Sequence, residues 1–210
     1  MNIDSKRLFD IIISIIGLIL SLPLMMCLAL FIKKEDRGPV FYRANRVGKN
    51  GELFNIYKFR TMVVDADKKG GPSASDDDPR ITKIGKVLRK YKLDESPQLI
   101  NVLRGEMSIV GPRPEVPQEV EIYTDEEKRI LSVKPGITDY ASIHFNNEGE
   151  ILKGSSNPHE AYRKMIRPTK LRLALQYVDD HSFLIDLNII IKTILIIIKT
   201  RTTKGSANVD

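Results

Sequence analysis

Two stretches of the chain are almost wholly apolar, and the length between them alternates. The first, residues 11–32, carries no charge and is interrupted mildly at Ser14, Gly17 and Ser21. At about 1.5 Å per residue it is long enough to cross a hydrocarbon core of about 30 Å. The second, residues 183–198, is equally apolar in tone but contains Asp186, Asn188 and Lys192. Ser182, Asp186, Thr193 and Thr200 recur along one side of it. That pattern predicts an amphipathic helix with a polar stripe lying at a membrane interface, with a second crossing helix as the alternative.

The first apolar run ends in Lys33-Lys34-Glu35-Asp36-Arg37 rather than a small-residue cleavage site, so a retained membrane element is expected over a signal peptide. Lys6 and Arg7 precede the run. Positive charge on both flanks favours keeping both ends on the cytoplasmic side. Pro23 near the middle removes a helical hydrogen bond and favours a kink. A kinked, re-entrant helix satisfies both observations; a plain transmembrane helix with a tolerated proline is the other reading.

Between the apolar ends the pattern is that of a small mixed domain. Residues 38–43 read as a turn and a short strand. Asn50-Gly51 between two alternating segments is a hairpin signal, with the second strand running on to Met62. Period two places Lys58 and Arg60 on one face of that strand, either as solvated cations or as a phosphate-facing pair. Residues 65–78 are polar and glycine-rich and predict a mobile loop that orders over a ligand; Asp76-Asp77-Asp78 within it is a weak candidate for a divalent cation. Thr82 caps a predicted helix over 83–91, with Ile84, Val87, Leu88 and Tyr91 on its apolar side and a strongly basic opposite face.

That helix ends where Asp94-Glu95 begins. A second short helix is predicted over 97–103, capped by Asp94 or Ser96 and closed by Gly105. Unpaired backbone donors at a helix start stabilise anions, so the acid pair sits where a carboxylate and a phosphate could both be held. Residues 107–110 read as a strand. Gly111-Pro112-Arg113-Pro114 follows, where two prolines limit the backbone freedom Arg113 loses on binding. Arginine suits forked phosphate recognition. Further on, Thr124 to Glu127 and Asn157 to Glu160 fit capping boxes. Helices are predicted over 158–166 and 169–180, broken at Arg167-Pro168. The second carries an apolar stripe of Leu171, Leu175 and Val178, with Lys170, Arg172 and Asp179 solvated. Both read as scaffold.

Composition adds three limits. The 210 residues suit one domain with membrane elements, and the net charge of +6 suits a phosphate-rich partner without naming it. The lone Cys27 allows no intrachain disulfide. His144, His159 and His181 lack metal-ligand spacing. The fold class expected is α/β, a helix-rich α+β arrangement with a re-entrant N-terminal helix, a small sheet or hairpin, and several interfacial helices. Its divisions are a membrane-embedded helix over 1–37, a catalytic domain over 38–181, an interfacial helix over 182–200 and a disordered tail over 201–210.

Four motifs then stand in a telling order: Lys58-Phe59-Arg60-Thr61-Met62, Asp78-Pro79-Arg80-Ile81-Thr82, Leu93-Asp94-Glu95-Ser96-Pro97-Gln98-Leu99, and Met107-Ser108-Ile109-Val110-Gly111-Pro112-Arg113-Pro114. With Lys6-Arg7-Leu8-Phe9-Asp10 at the front, the chain resembles the bacterial sugar transferases, small monotopic polyprenol-phosphate phosphoglycosyl transferases. The resemblance implies transfer of a sugar 1-phosphate from a UDP-sugar to undecaprenyl phosphate or a similar lipid, with UMP leaving. It implies that Asp94 is the nucleophile and forms a covalent aspartyl phosphosugar. Glu95 is its acidic partner, and the pair is associated with Mg²⁺. It also implies phosphate-binding roles for Arg113 and Arg89, beside the strand cations Lys58 and Arg60. The partners it implies are the donor, the polyprenol phosphate and membrane lipid, with no nucleic acid, at the cytoplasmic face of the inner membrane. Two departures stand out: Leu22 precedes Pro23 where the family has serine, and Asp139-Tyr140-Ala141 stands where many members carry Gly-Trp-Ala. The second departure keeps the donor sugar from being carried over. A non-catalytic membrane adaptor, and direct glycosyl transfer releasing UDP, are the competing readings.

Overall fold

A single helix, α1 (Ile3–Asp36), forms the long edge of the molecule in this computed structural model, which describes residues 3–71 and 73–203. It runs through Pro23 without interruption. One stripe of it is buried along the whole length: Asp10, Ser14, Met25, Leu28 and Ile32, with Gly17 set against Leu99. The rest of its circumference, including Ile16, Ile19, Leu20, Met26 and Leu30, is exposed and apolar.

Both ends of α1 are fastened to the same folded body. At the front, the Arg7 guanidinium donates to the Val102 and Leu103 carbonyls, and Asp10 accepts from the Ile109 backbone N–H at 3.1 Å. Lys6 pairs with Asp186 and donates to the Val110 carbonyl at 3.2 Å. At the far end, Asp36 pairs with Arg60, and Glu35 accepts from the Lys83 backbone N–H at 2.8 Å. Lys6 and Arg7 are thus more than a charged flank. They add donors to backbone carbonyls of α3 and β3, and Lys6 supplies the countercharge of the buried Asp186.

Strands β1 (Phe41–Val47) and β2 (Leu53–Phe59) form the expected antiparallel hairpin, with Phe41 opposite Phe59. Asn50 and Gly51 both take positive φ, 57° and 82°, as a tight Asn-Gly turn requires. β2 stops at Phe59, short of the expected Met62, which makes only an isolated bridge to Ile81. The 65–78 loop is tied down rather than free. Arg80 holds Asp78 and the Gly71 carbonyl, Ser73 Oγ lies 3.1 Å from His159 Nδ1, and the Asp76 N–H donates to the Gly149 carbonyl at 2.9 Å.

Helix α2 (Lys83–Lys90) starts on Thr82, whose Oγ1 accepts from the Gly85 N–H at 3.0 Å. Its buried face is Gly85 and Leu88; Val87, placed on the apolar side by spacing, is exposed. Gly85 is required there, because a Cβ would stand 2.0 Å from the Thr61 carbonyl oxygen. Helix α3 (Gln98–Arg104) ends on Gly105 at φ 86°. β3 (Ser108–Val110) follows, then a short α4 (Pro117–Val120). The Thr124–Glu127 capping box forms reciprocally, at 2.8 and 3.2 Å, but opens a 3-10 segment, Glu127–Ser132. β4 (Gly136–Thr138) returns parallel to β3, with Ser108 opposite Gly136.

The remaining helices are α5 (Tyr140–His144), α6 (Glu148–Ile151), α7 (Pro158–Ala161), α8 (Arg167–Asp180) and α9 (Phe183–Thr203). Asn157 caps α7, accepting from the Glu160 N–H at 3.2 Å. The expected break at Arg167-Pro168 is instead a π-turn, Tyr162–Ile166, that leads straight into α8. The wider turn passes Pro168, which has no N–H to give, without breaking the helical path. The buried side of α8 is Lys170, Leu171, Ala174 and Tyr177; Lys170, expected to be solvated, pairs with Glu148 at 2.6 Å. In α9 two of the polar positions face the protein: Asp186 is buried against Lys6 and Tyr177, and Thr193 Oγ1 is 2.7 Å from Thr138 Oγ1, whereas Asn188, Lys192 and the preceding Ser182 are exposed. The exposed side carries Leu184, Ile191, Ile194 and Leu195 beside Asn188 and Lys192. The helix continues to Thr203 through the start of the expected tail, and residues 204–210 lie outside the described residues. Phe54, Ile56, Val102, Met107, Val110, Tyr177 and Ile189 form the main core, joining β2, α3, β3, α8 and α9. The helix-rich α+β expectation matches this architecture.

Candidate active site

The acid pair lies in a 3-10 turn, Leu93–Glu95, that joins α2 to α3. Lys92 before it takes a left-handed conformation, φ 55°, and turns the chain sharply out of α2. Neither Asp94 nor Ser96 caps α3. Pro97 holds that position without a side-chain bond, and Ser96 Oγ donates back to the Leu93 carbonyl at 2.8 Å. The turn runs directly into α3, which leaves Asp94 free to face elsewhere.

Asp94 and Glu95 are placed in opposite electrostatic states. Glu95 Oε1 accepts from Lys58 Nζ at 2.8 Å and also from Arg113, whose Nη1 lies 3.4 Å from Oε2. Burial alone would raise its pKa, but the Arg113 guanidinium and the Lys58 ammonium hold it well below the usual carboxylate range. Burial pushes Lys58 down, against the pull of Glu95. Asp94 is also buried, and its Oδ1 has no hydrogen-bond partner. Burial first, and the Glu95 charge second, raise its pKa. The helix-start donors expected to stabilise it do not reach it. One carboxylate is therefore locked as a neutralised anchor, and its neighbour keeps an unengaged oxygen.

Arg113 is held by backbone as well as by charge. The Gly111 N–H donates to the Thr138 carbonyl at 3.1 Å, and the Gly136 N–H to the Pro112 carbonyl at 2.9 Å. A Cβ on Gly136 would meet Gly111 N at 2.1 Å, so this approach of two backbones needs glycine. Asp139 completes the brace: Oδ2 accepts from the Arg113 N–H at 3.2 Å and Oδ1 from the Ser142 N–H at 2.6 Å, capping α5. Sequence reasoning missed Asp139 as a site residue. An acidic residue just before a helix-forming run was the available signal.

Asp94, Glu95, Lys58, Arg89 and Arg113 line one cleft of about 1030 Å³. Arg89 is steadied by Thr61, Nε to Oγ1 at 3.2 Å. Lys86, Lys90 and Lys92 extend the cationic lining, and residues 141–143 and 145–150 with Lys170 line the same cleft. Arg60 does not join them. The strand ends at Phe59, and beyond it the Arg60 side chain turns to Asp36 and to the Pro39 and Met62 carbonyls, so its bonding groups are already used. Asp76, Asp77 and Asp78 point apart: Asp78 pairs with Arg80, and Asp77 accepts from the Gly154 N–H. No group of three or more His, Cys, Asp or Glu side chains gathers to hold a metal among the described residues.

This geometry defines a cationic cleft built on an acid pair, set beside a long apolar helix. The best 18-residue window of that helix is only 17% buried, unlike the core helix of a soluble domain, and the protein is membrane-associated through it. The chain belongs to the bacterial sugar transferase family, whose model matches residues 1–200. It is 38% identical over 205 residues to the exopolysaccharide production protein ExoY of Sinorhizobium fredii, covering 90% of this chain and 84% of that one. It is 37% identical over 192 residues to the UDP-N-acetylgalactosamine-undecaprenyl-phosphate N-acetylgalactosaminephosphotransferase of Aeromonas hydrophila, covering 90% and 42%. To the UDP-glucose:undecaprenyl-phosphate glucose-1-phosphate transferase of Escherichia coli it is 36% identical over 192 residues, covering 90% and 39%. The chain thus spans less than half the length of the last two, whose names carry different sugars.

Proposed function

We propose that this chain transfers a sugar 1-phosphate from a UDP-sugar to a polyprenol phosphate, such as undecaprenyl phosphate, and releases UMP, as a step in surface-polysaccharide biosynthesis. The observation that carries the reading is the split acid pair: Glu95 neutralised between Lys58 and Arg113, Asp94 buried beside it with a free oxygen. The relatives named for undecaprenyl-phosphate transfer support the substrate class.

In the mechanism we propose, an Asp94 oxygen attacks the phosphorus that bears the sugar. The bond from that phosphorus to the UMP oxygen breaks, and its electron pair leaves with UMP. The acceptor's phosphate oxygen then attacks the same phosphorus, and the Asp94 carboxylate departs with the electron pair of its own bond. Two displacements let a soluble donor and a lipid acceptor use one site in turn. A carboxylate approaching a diphosphate meets repulsion, which Arg113, Arg89 and Lys58 reduce from positions fixed before the substrate arrives. The donor set also fits Mg²⁺, an ion bound through one or two carboxylates plus substrate phosphates rather than an all-protein cage. Asp94, which lines the cleft, would hold it beside Glu95. When bound, the ion would supply further neutralisation of phosphate charge. EDTA should stop turnover and Mg²⁺ restore it.

The same reading places α1 on one side of the bilayer. A straight helix of its length would be about 51 Å long at about 1.5 Å per residue. Its two ends are bound to one body that also carries the basic face of α2. Crossing would draw those charges into hydrocarbon. A re-entrant or in-plane seat, with α9 at the interface and the cleft at the cytoplasmic headgroup level, avoids that cost and brings the lipid phosphate to Asp94. The test of the reaction is product identity. Supplied with polyprenol phosphate and a panel of UDP-sugars, the protein should release UMP; UDP in its place would mark direct glycosyl transfer.

A further inference from the structure

The lining of the cleft is chemically uneven. Lys58, Arg89, Lys92 and Arg113 line it together with the dyad, and Ser142, Asn146, Asn147 and Glu148, from α5, α6 and the link between them, line it too. A diphosphate belongs with the first group. A carboxylate repels it, so Glu148 faces a neutral part of any donor held there.

Glu148 is not a loosely placed surface acid. Its Oε2 is 2.6 Å from Nζ of Lys170, which is buried on α8 and lies 4.9 Å from the centre of the Tyr162 ring. Next in the chain, Gly149 accepts from the Asp76 N–H at 2.9 Å, and a Cβ on it would stand 2.0 Å from Asp76 Oδ1. The carboxylate is thus fixed by a buried cation on one side and by a close backbone contact on the other. Its side chain stays 31% exposed. Its charge also reaches the dyad's partner: after Glu95, it helps hold the Arg113 guanidinium protonated.

We infer that Glu148, oriented by Lys170, accepts hydrogen bonds from hydroxyl groups at a neutral end of the nucleotide-sugar donor and thereby selects which donor is used. This rests on the phosphoglycosyl transfer reading above. A carboxylate with an oxygen free of protein partners is an acceptor without a competing donor role, which matches hydroxyls and excludes phosphate. The buried pair holds its geometry before the donor binds, so little order is lost on recognition. Sugar and ribose both carry such hydroxyls, and the sugar is the variable part of the donor. Lys170 is a positioning residue; it acts through Glu148.

The test uses the full chain in lipid nanodiscs containing polyprenol phosphate, with UMP release measured for UDP-glucose, UDP-galactose, UDP-N-acetylglucosamine and UDP-N-acetylgalactosamine, and with UMP and dUMP as inhibitors. Glu148→Gln keeps the size and should lower kcat/KM for the preferred donor by about tenfold to a hundredfold, the range for a lost charged hydrogen bond. The loss should fall mainly on KM, and the preference between donors should narrow. Unchanged UMP inhibition alongside this assigns the hydroxyls to the sugar. Weakened UMP inhibition, with UMP and dUMP no longer distinguished, would place the contact on the ribose that every donor shares and would overturn the inference. Lys170→Met should reproduce the shift in preference and Lys170→Arg restore it. Wild-type ranking and kcat/KM within twofold in Glu148→Gln would overturn the inference, as would an equal loss on every donor and both inhibitors. UMP release by the wild type from none of the donors would instead overturn the reading of the reaction itself, and this inference with it.

Discussion

Asp94 and Glu95 are adjacent in sequence and opposite in behaviour, and the difference lies in their partners. Glu95 has two cations; Asp94 has an oxygen with none. The pH dependence follows from the signs. In the proposed mechanism Asp94 must be ionised to attack, and its pKa is raised by burial and by Glu95, so the acidic limb of the kcat profile should fall at a higher pH than an ordinary aspartate gives. Stability responds in two directions. The raised Asp94 favours the fold in its protonated form, a contribution lost as pH rises through its folded pKa. The lowered Glu95 stabilises above its unfolded pKa, and that contribution is lost as pH falls through its folded value. A pH–rate profile and a parallel thermal-melting series check both. Arg60 gives a contrasting case. Its bonds to Asp36 and two carbonyls make it structural, so Arg60→Met should lower stability by about 2–3 kcal/mol. That is below the full cost of a broken buried pair because Asp36 is 30% exposed. The donor KM in the surviving folded fraction should not change, which denaturation and kinetics together would show.

At the scale of elements, local signals carried far. The Asn50-Gly51 turn, the Thr82 cap, the Gly105 helix end and both capping boxes are where short-range chemistry puts them, because each is satisfied within a few residues. What failed depended on distant partners. Lys58 and Arg60 looked equivalent by period two, and the end of β2 at Phe59 separates them. Lys170 looked solvated because no sequence spacing reveals Glu148 opposite it. The polar stripe of α9 looked like a face for water and headgroups, yet Asp186 meets Lys6 from the other end of the chain. Lys6→Met should therefore leave Asp186 buried and unpaired, loosening α1 from α9. A drop in melting temperature, reversed by the double change Lys6→Met with Asp186→Leu, would show that the pair acts between these helices.

At the scale of the whole molecule, the long apolar helix α1, the C-terminal helix α9 and a charged cleft share a single body. Both ends of α1 should lie on the same side of a bilayer. With Cys27 replaced, single cysteines placed near Lys6 and near Lys34 should react with an impermeant maleimide from the same face of sealed vesicles; opposite faces would mark a crossing helix. In the two-step transfer proposed above, one carboxylate beside this helix carries the sugar phosphate from the aqueous donor to the lipid acceptor, so a single site serves both. The most direct test is a single-turnover experiment with a UDP-sugar and no polyprenol phosphate. About one equivalent of UMP should appear per active protein, with the mass of one sugar phosphate added to the peptide containing Asp94, and neither should occur in Asp94→Asn. UMP that forms only when the lipid acceptor is present, with no added mass on that peptide, would contradict the two-step transfer through Asp94.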